Sequence, residues 1–144
     1  MTCFWNGILG QLSSDDYELF KQKKIPKTPH ELCSYLKQHN IKTINIMWND
    51  EDITNNQVNE NFEAISQYVF SDDGYFCSTF DPFLFLISEL FKVNIVHDTC
   101  HAMITYKCQN SRKVFYFASN KGHFWQTNKQ PHRIKNNKKR NKKK

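Results

Sequence analysis

Apolar positions in the first half of the chain recur at helical spacing. Phe4, Trp5, Ile8, Leu9 and Leu12 share one side of a helix that starts at Cys3 with Thr2 as its cap. Gly7 and Gly10 weaken that helix in isolation, so tertiary packing must hold it. Residues 13–20 read as a second short helix opened by Ser and Asp, and 21–27 as a basic connector. At Thr28 the hydroxyl can cap, Pro29 takes the first turn, and Glu31 completes a capping box. Leu32, Tyr35 and Leu36 mark the apolar face of that third helix. Residues 41–48 alternate, with Ile44 and Ile46 on one side and Trp48 following, which predicts a strand closed by a turn at 49–52. Helical spacing returns at Val58, Phe62, Ile65 and Tyr68-Val69, until Ser71-Asp72-Asp73-Gly74 stops it.

Asp81-Pro82 then opens a helix over 83–91, with the aspartate as cap and the proline in the first turn. Its body is apolar nearly all round, the pattern of a helix buried mid-domain. After it the period changes. Residues 93–96, 102–106 and 114–118 are short β-branched and aromatic runs, with a hairpin turn expected at 109–112 between the last two. Ser119-Asn120-Lys121-Gly122 is a turn cluster, and His123-Phe124-Trp125 opens a terminal strand. Helices first, then an antiparallel sheet, predict an α+β fold. No internal repeat is visible.

The length of 144 residues fits one domain, and an aromatic share of 15% implies a core built from rings. The net charge of +6 is unevenly spread. Nine of the 20 Lys and Arg fall after residue 125, where no acid occurs, so residues 1–125 carry 11 basic against 14 acidic groups, a net of −3. The expected organisation is therefore a domain over 1–125 and a basic tail over 126–144, disordered through self-repulsion. The tail reads as a solvated end, a nuclear-targeting run or an RNA-touching patch. No apolar run reaches the ~20 residues of a bilayer span, so no membrane partner is expected. No basic region precedes an apolar stretch at the start, and the five cysteines are odd in number and irregularly spaced. An intracellular, reducing compartment follows, without secretion.

Two constellations carry candidate chemistry. A nucleophilic cysteine needs its thiolate favoured, and Cys3 sits in the first turn of a predicted helix, where dipole and free amides do so. The Cys3 amide can also donate to a developing oxyanion. The base must come from elsewhere, and His123 follows Gly122 at the start of a strand anchored by Phe124-Trp125. The plainer alternatives are a frayed terminal cysteine and a surface histidine. The second constellation is His97-Asp98-Thr99-Cys100-His101 with Cys108 and Cys77. Its spacing matches no recurrent zinc pattern, and strand alternation scatters it, so packing and loop roles are expected and no metal or cofactor is assigned.

Cys3-Phe4-Trp5-Asn6-Gly7-Ile8-Leu9 resembles the nucleophile helix of the ovarian-tumour (OTU) family of cysteine deubiquitinases: Cys, two large apolar residues, a polar, a small, then aliphatics. Residues 81–95, a core helix running into Val93-Asn94-Ile95, resemble the family's next signature. Gly122-His123-Phe124 is similar to its Gly/Asn-His-aromatic motif. The blocks span nearly all of residues 3–125 in the family's order, and are closest to compact OTU-like proteins of large DNA viruses. The resemblance implies a papain-like fold, with the nucleophile helix and other helices packed on a small sheet. It implies a thiol hydrolase acting on ubiquitin or a ubiquitin-like modifier, with Cys3 as nucleophile and His123 as base. The family's Asp three residues before the cysteine has no counterpart, since two residues precede Cys3. Trp125 stands where the family often carries the Asp or Asn that orients the histidine, and Asn120 is the substitute candidate. A weakened or inactive relative that only binds ubiquitin or a host protein is the alternative. A nucleic-acid-associated protein acting through the basic tail is the third.

Overall fold

The computed structural model describes residues 2–18 and 25–127. The elements are α1 (Cys3–Gln11), α2 (Ser14–Tyr17), α3 (Pro29–Gln38), β1 (Ile46–Trp48), α4 (Asn55–Gln67), α5 (Pro82–Phe91), β2 (Val93–Asp98), β3 (Met103–Cys108), β4 (Lys113–Asn120) and β5 (His123–Thr127). The order of elements is that of an α+β domain. The end of the expected second helix, most of the basic connector and the basic run beyond Thr127 lie outside the described residues. Gln126 and Thr127, expected in the tail, complete β5.

Helix α5 is the centre. Asp81 caps it by accepting from the amides of Phe83 and Leu84, and Pro82 fills the first turn. Every residue from Phe83 to Phe91 is buried, as an all-round apolar helix demands. It ends at Lys92, which takes a left-handed φ of 57° so that the chain can turn straight into β2. The Thr28 cap also forms, but Glu31 reaches the amide of Lys27 rather than that of Thr28. A complete capping box appears instead at Thr54 and Gln57, at the start of α4. Thr2 does not cap α1: its hydroxyl accepts from the Asn6 side chain, at 3.0 Å.

The sheet corrects the expectation of a purely antiparallel arrangement. Five strands lie in the order β1-β3-β2-β4-β5, and β2 pairs with β4 in parallel. β3 and β4 are not hairpin partners, because β2 lies between them. Residues 109–112 therefore pass beneath the start of β2. Arg112 holds that crossing: its amide donates to Lys92 O at 2.7 Å, and its guanidinium donates to Phe91 O and to the buried Asp16 carboxylate. The four-residue link resembles a hairpin turn in sequence, but the unspent carbonyls at the end of α5 attract it across the strand.

One face of the sheet carries Val93, Ile95, His97, Ile104, Tyr106, Phe115, Phe117 and Phe124, all buried. This face packs against α5 and α1, and α3 packs in turn against both helices. The opposite face is half-exposed along β2 and β4. The core is ring-rich, as the composition implies: Trp5, Phe83, Phe85, Phe91, Phe115 and Phe117 are all within it.

Candidate active site

Cys3 is the first residue of α1, half-buried, so the amides of the first turn lie beside it without intrahelical acceptors. The helix is fixed there by its next two side chains. The Phe4 ring lies 4.7 Å from Tyr75 and 4.9 Å from Phe124, and the Trp5 ring lies 5.0 Å from Phe83. Gly7 lets α1 approach β5, since a Cβ there would come within 3.0 Å of the Phe124 ring.

His123 opens β5 after the two-residue turn Lys121-Gly122, with Asn120 directly opposite it in the β4–β5 ladder. Gly122 takes a φ of 85°, which side-chain-bearing residues rarely adopt, and nothing crowds its Cβ position. The glycine therefore serves the turn rather than a close approach.

Cys3, Asn120 and His123 line one cavity of about 510 Å³. One wall is the 119–124 hairpin end, and the other is the loop at 73–77, which includes Tyr75, Phe76 and Cys77. That loop is anchored by Asp81, which has a second role beyond capping α5. Its carboxylate accepts from the Tyr75 hydroxyl at 2.7 Å and the Ser78 amide at 2.9 Å. Its own amide donates to the Tyr106 hydroxyl, which donates to Thr79 O, and Trp48 Nε1 donates to the same carbonyl. Burial pushes the Asp81 carboxyl up despite these donors, and burial with the neighbouring Asp81 carboxylate pushes the Cys77 thiol up. Cys77 is thus a poor candidate for the nucleophile's role, although it shares the cavity.

Alternation along β5 gives the site an unexpected division. Phe124 is buried against α1, while His123 and Trp125 are exposed and share the other side of the strand. Among the described residues, no side-chain hydrogen bond joins Cys3, His123 and Asn120 to one another; Asn120 and His123 meet as backbone partners in the ladder. The three sequence candidates thus meet at one cavity without an assembled triad.

The histidine that does share the buried face is His97 on β2. It is 1% exposed, its Nε2 lies 2.8 Å from Ser119 Oγ, and its ring stands 5.5 Å from that of Phe124. Burial pushes its pKa down to about 4. Ser119 also lines the cavity. The alternation Val93, Ile95, His97 in the sequence carried the signal that His97 faces inward. The rest of the second constellation does not converge: Cys100 and His101 are exposed in the β2–β3 turn, and Cys108 is at the far end of β3. Among the described residues no three His, Cys, Asp or Glu could hold a metal ion, and no helix is long and apolar enough to cross a membrane. No protein-family model, no curated protein and no solved structure matches the chain, so its site is characterised by geometry and chemistry alone.

Proposed function

We propose that the chain is a thiol hydrolase that cleaves isopeptide bonds of ubiquitin or a ubiquitin-like modifier. The observation that carries the reading is that Cys3, at the N-terminus of α1, and His123, at the end of the β4–β5 hairpin, line the same cavity. The OTU-like motifs around both residues supply the substrate class.

His123 accepts the Cys3 thiol proton as the sulfur attacks the isopeptide carbonyl carbon. The carbon–nitrogen bond breaks, the proton passes to the departing lysine amine, and a thioester remains. Water, deprotonated by His123, then attacks the thioester and returns the thiol. First-turn amides of α1 donate to the oxyanion in both steps. Asn120 orients His123 once the hairpin end tightens around a substrate, since catalytic hydrogen bonds are often long without one. The chemistry needs no metal or cofactor.

Ubiquitin carrying a C-terminal electrophile should label the wild-type protein at Cys3. Labelling that persists unchanged in Cys3→Ala would overturn the assignment. A second reading is a ubiquitin- or host-protein-binding module with a decayed site, favoured by Phe124 rather than His123 facing α1. It expects binding without labelling, and no loss of binding in His123→Ala.

A further inference from the structure

His97 is buried at 1% exposure, yet its Nδ1 has no hydrogen-bond partner among the described residues. Its other nitrogen meets only Ser119 Oγ. This leaves two neutral arrangements. If Nδ1 carries the proton, a buried N–H is orphaned. If Nε2 carries it, only a lone pair is left unused. Orphaned buried N–H groups are the rarer and costlier defect. Nε2–H therefore donates to Ser119 Oγ, which fixes the oxygen and leaves the single Ser119 hydroxyl proton free to donate elsewhere.

That proton has no acceptor among the described residues, and Ser119 lines the cavity shared by Cys3 and His123. Ser119 is also opposite Phe124 in the β4–β5 ladder, and the Phe124 ring packs on Phe4, the residue after Cys3. The hydroxyl is thus held on the α1 side of the sheet, the side on which Cys3 lies.

We propose that Ser119 is a substrate-contacting hydrogen-bond donor for the oxygen of the acyl group attacked by Cys3, and that His97 is the residue that positions it. The inference rests on Cys3 as nucleophile but not on ubiquitin as substrate. When sulfur adds to a carbonyl carbon, the S–C bond forms and the C=O π pair moves to oxygen. The Ser119 hydroxyl then strengthens its bond to that oxygen as negative charge develops. Because His97 holds the serine oxygen from behind, the donor needs no reorganisation at that moment.

A peptide aldehyde tests this without ubiquitin. Its carbonyl adds the Cys3 thiol reversibly, with sulfur bonding to carbon and the proton going to oxygen, and a ¹³C label in the aldehyde reports the adduct directly. Wild type should form the adduct, and Ser119→Ala should weaken it about tenfold, the upper end of what one hydrogen bond to the neutral adduct oxygen contributes. His97→Phe, which keeps a ring against Phe124, should weaken it less, because the serine is present but no longer fixed. Reaction of Cys3 with a small disulfide, followed at the Cys3 peptide by mass spectrometry, involves no acyl oxygen and should proceed at the wild-type rate in both variants. Imidazole ¹⁵N shifts should show the Nε2–H tautomer of His97. Equal aldehyde affinity in wild type and Ser119→Ala, an Nδ1–H tautomer, a parallel loss of disulfide reactivity, or no wild-type adduct would each overturn the proposal. A wild-type protein that forms the aldehyde adduct yet ignores electrophilic ubiquitin would sink the ubiquitin reading and leave this one standing.

Discussion

The Phe124 ring lies 4.9 Å from the Phe4 ring and occupies the space over Gly7, so β5 docks on α1 through the face that carries Phe124, with Gln126 beside Gly10, and not through the face of His123 and Trp125. Phe124 is 7% exposed and Trp125 is 42% exposed. Phe124→Ala should cost about 3–5 kcal/mol, since it removes a buried ring and leaves a hole between α1 and the sheet. Trp125→Ala, on the opposite side of the strand, should cost under about 1 kcal/mol. Urea unfolding of the two variants checks the division. Equal losses would mean that β5 presents its other face to α1.

His123 carries the proposed base, but it is exposed and its side chain makes no hydrogen bond among the described residues. His123→Gln should therefore leave stability within about 0.5 kcal/mol of wild type. The rate of Cys3 labelling by electrophilic ubiquitin should fall by about 100-fold or more, the usual size of a general-base contribution. A variant that labels at the wild-type rate would remove His123 from the mechanism.

Asp81 joins the centre of the fold to the wall of the cavity. Asp81→Ala orphans the Ser78, Phe83 and Leu84 amides and the Tyr75 hydroxyl together. The expected loss is about 3 kcal/mol or more, because several buried donors lose their acceptor at once. Tyr75→Phe removes one partner and should cost about 1 kcal/mol. Both variants should speed alkylation of Cys77, because the 73–77 loop loses its anchor. Thermal unfolding and Cys77-resolved alkylation provide the readouts.

Acid should find His97. Its folded pKa is about 4, against 6.5 for the free group. Between those values the unfolded chain binds the extra proton and the folded one does not. Stability is therefore complete above about pH 6.5 and declines as pH falls toward 4, by up to about 3 kcal/mol from this group. In His97→Phe that decline should vanish. The carboxylates of Asp16 and Asp81 also titrate in acid, but they are common to both proteins, so the difference between the two stability curves isolates His97. A difference curve flat from pH 7 to pH 4 would show that His97 is charged or solvated in the folded protein.

Local patterns in the chain determine a good deal of this protein. The caps at Thr28 and Asp81, the all-round burial of 83–91 and the turn at Gly122 follow from short-range rules of hydrogen bonding and φ preference, and the structure has them all. The alternation in β5 also requires that His123 and Phe124 lie on opposite sides of the strand. Pairing is a different matter. Nothing local distinguishes a hairpin at 109–112 from a link that crosses beneath β2, because the deciding bonds run from Arg112 to carbonyls at the end of α5. The same holds for the site. The sequence alone nominates Cys3, His123 and Asn120, and only tertiary packing brings the 73–77 loop and Ser119, with His97 bonded to it, to the same cavity. Long-range contacts of this kind depend on which buried polar groups still lack partners after the local structure has formed, and that is settled only when the layers meet.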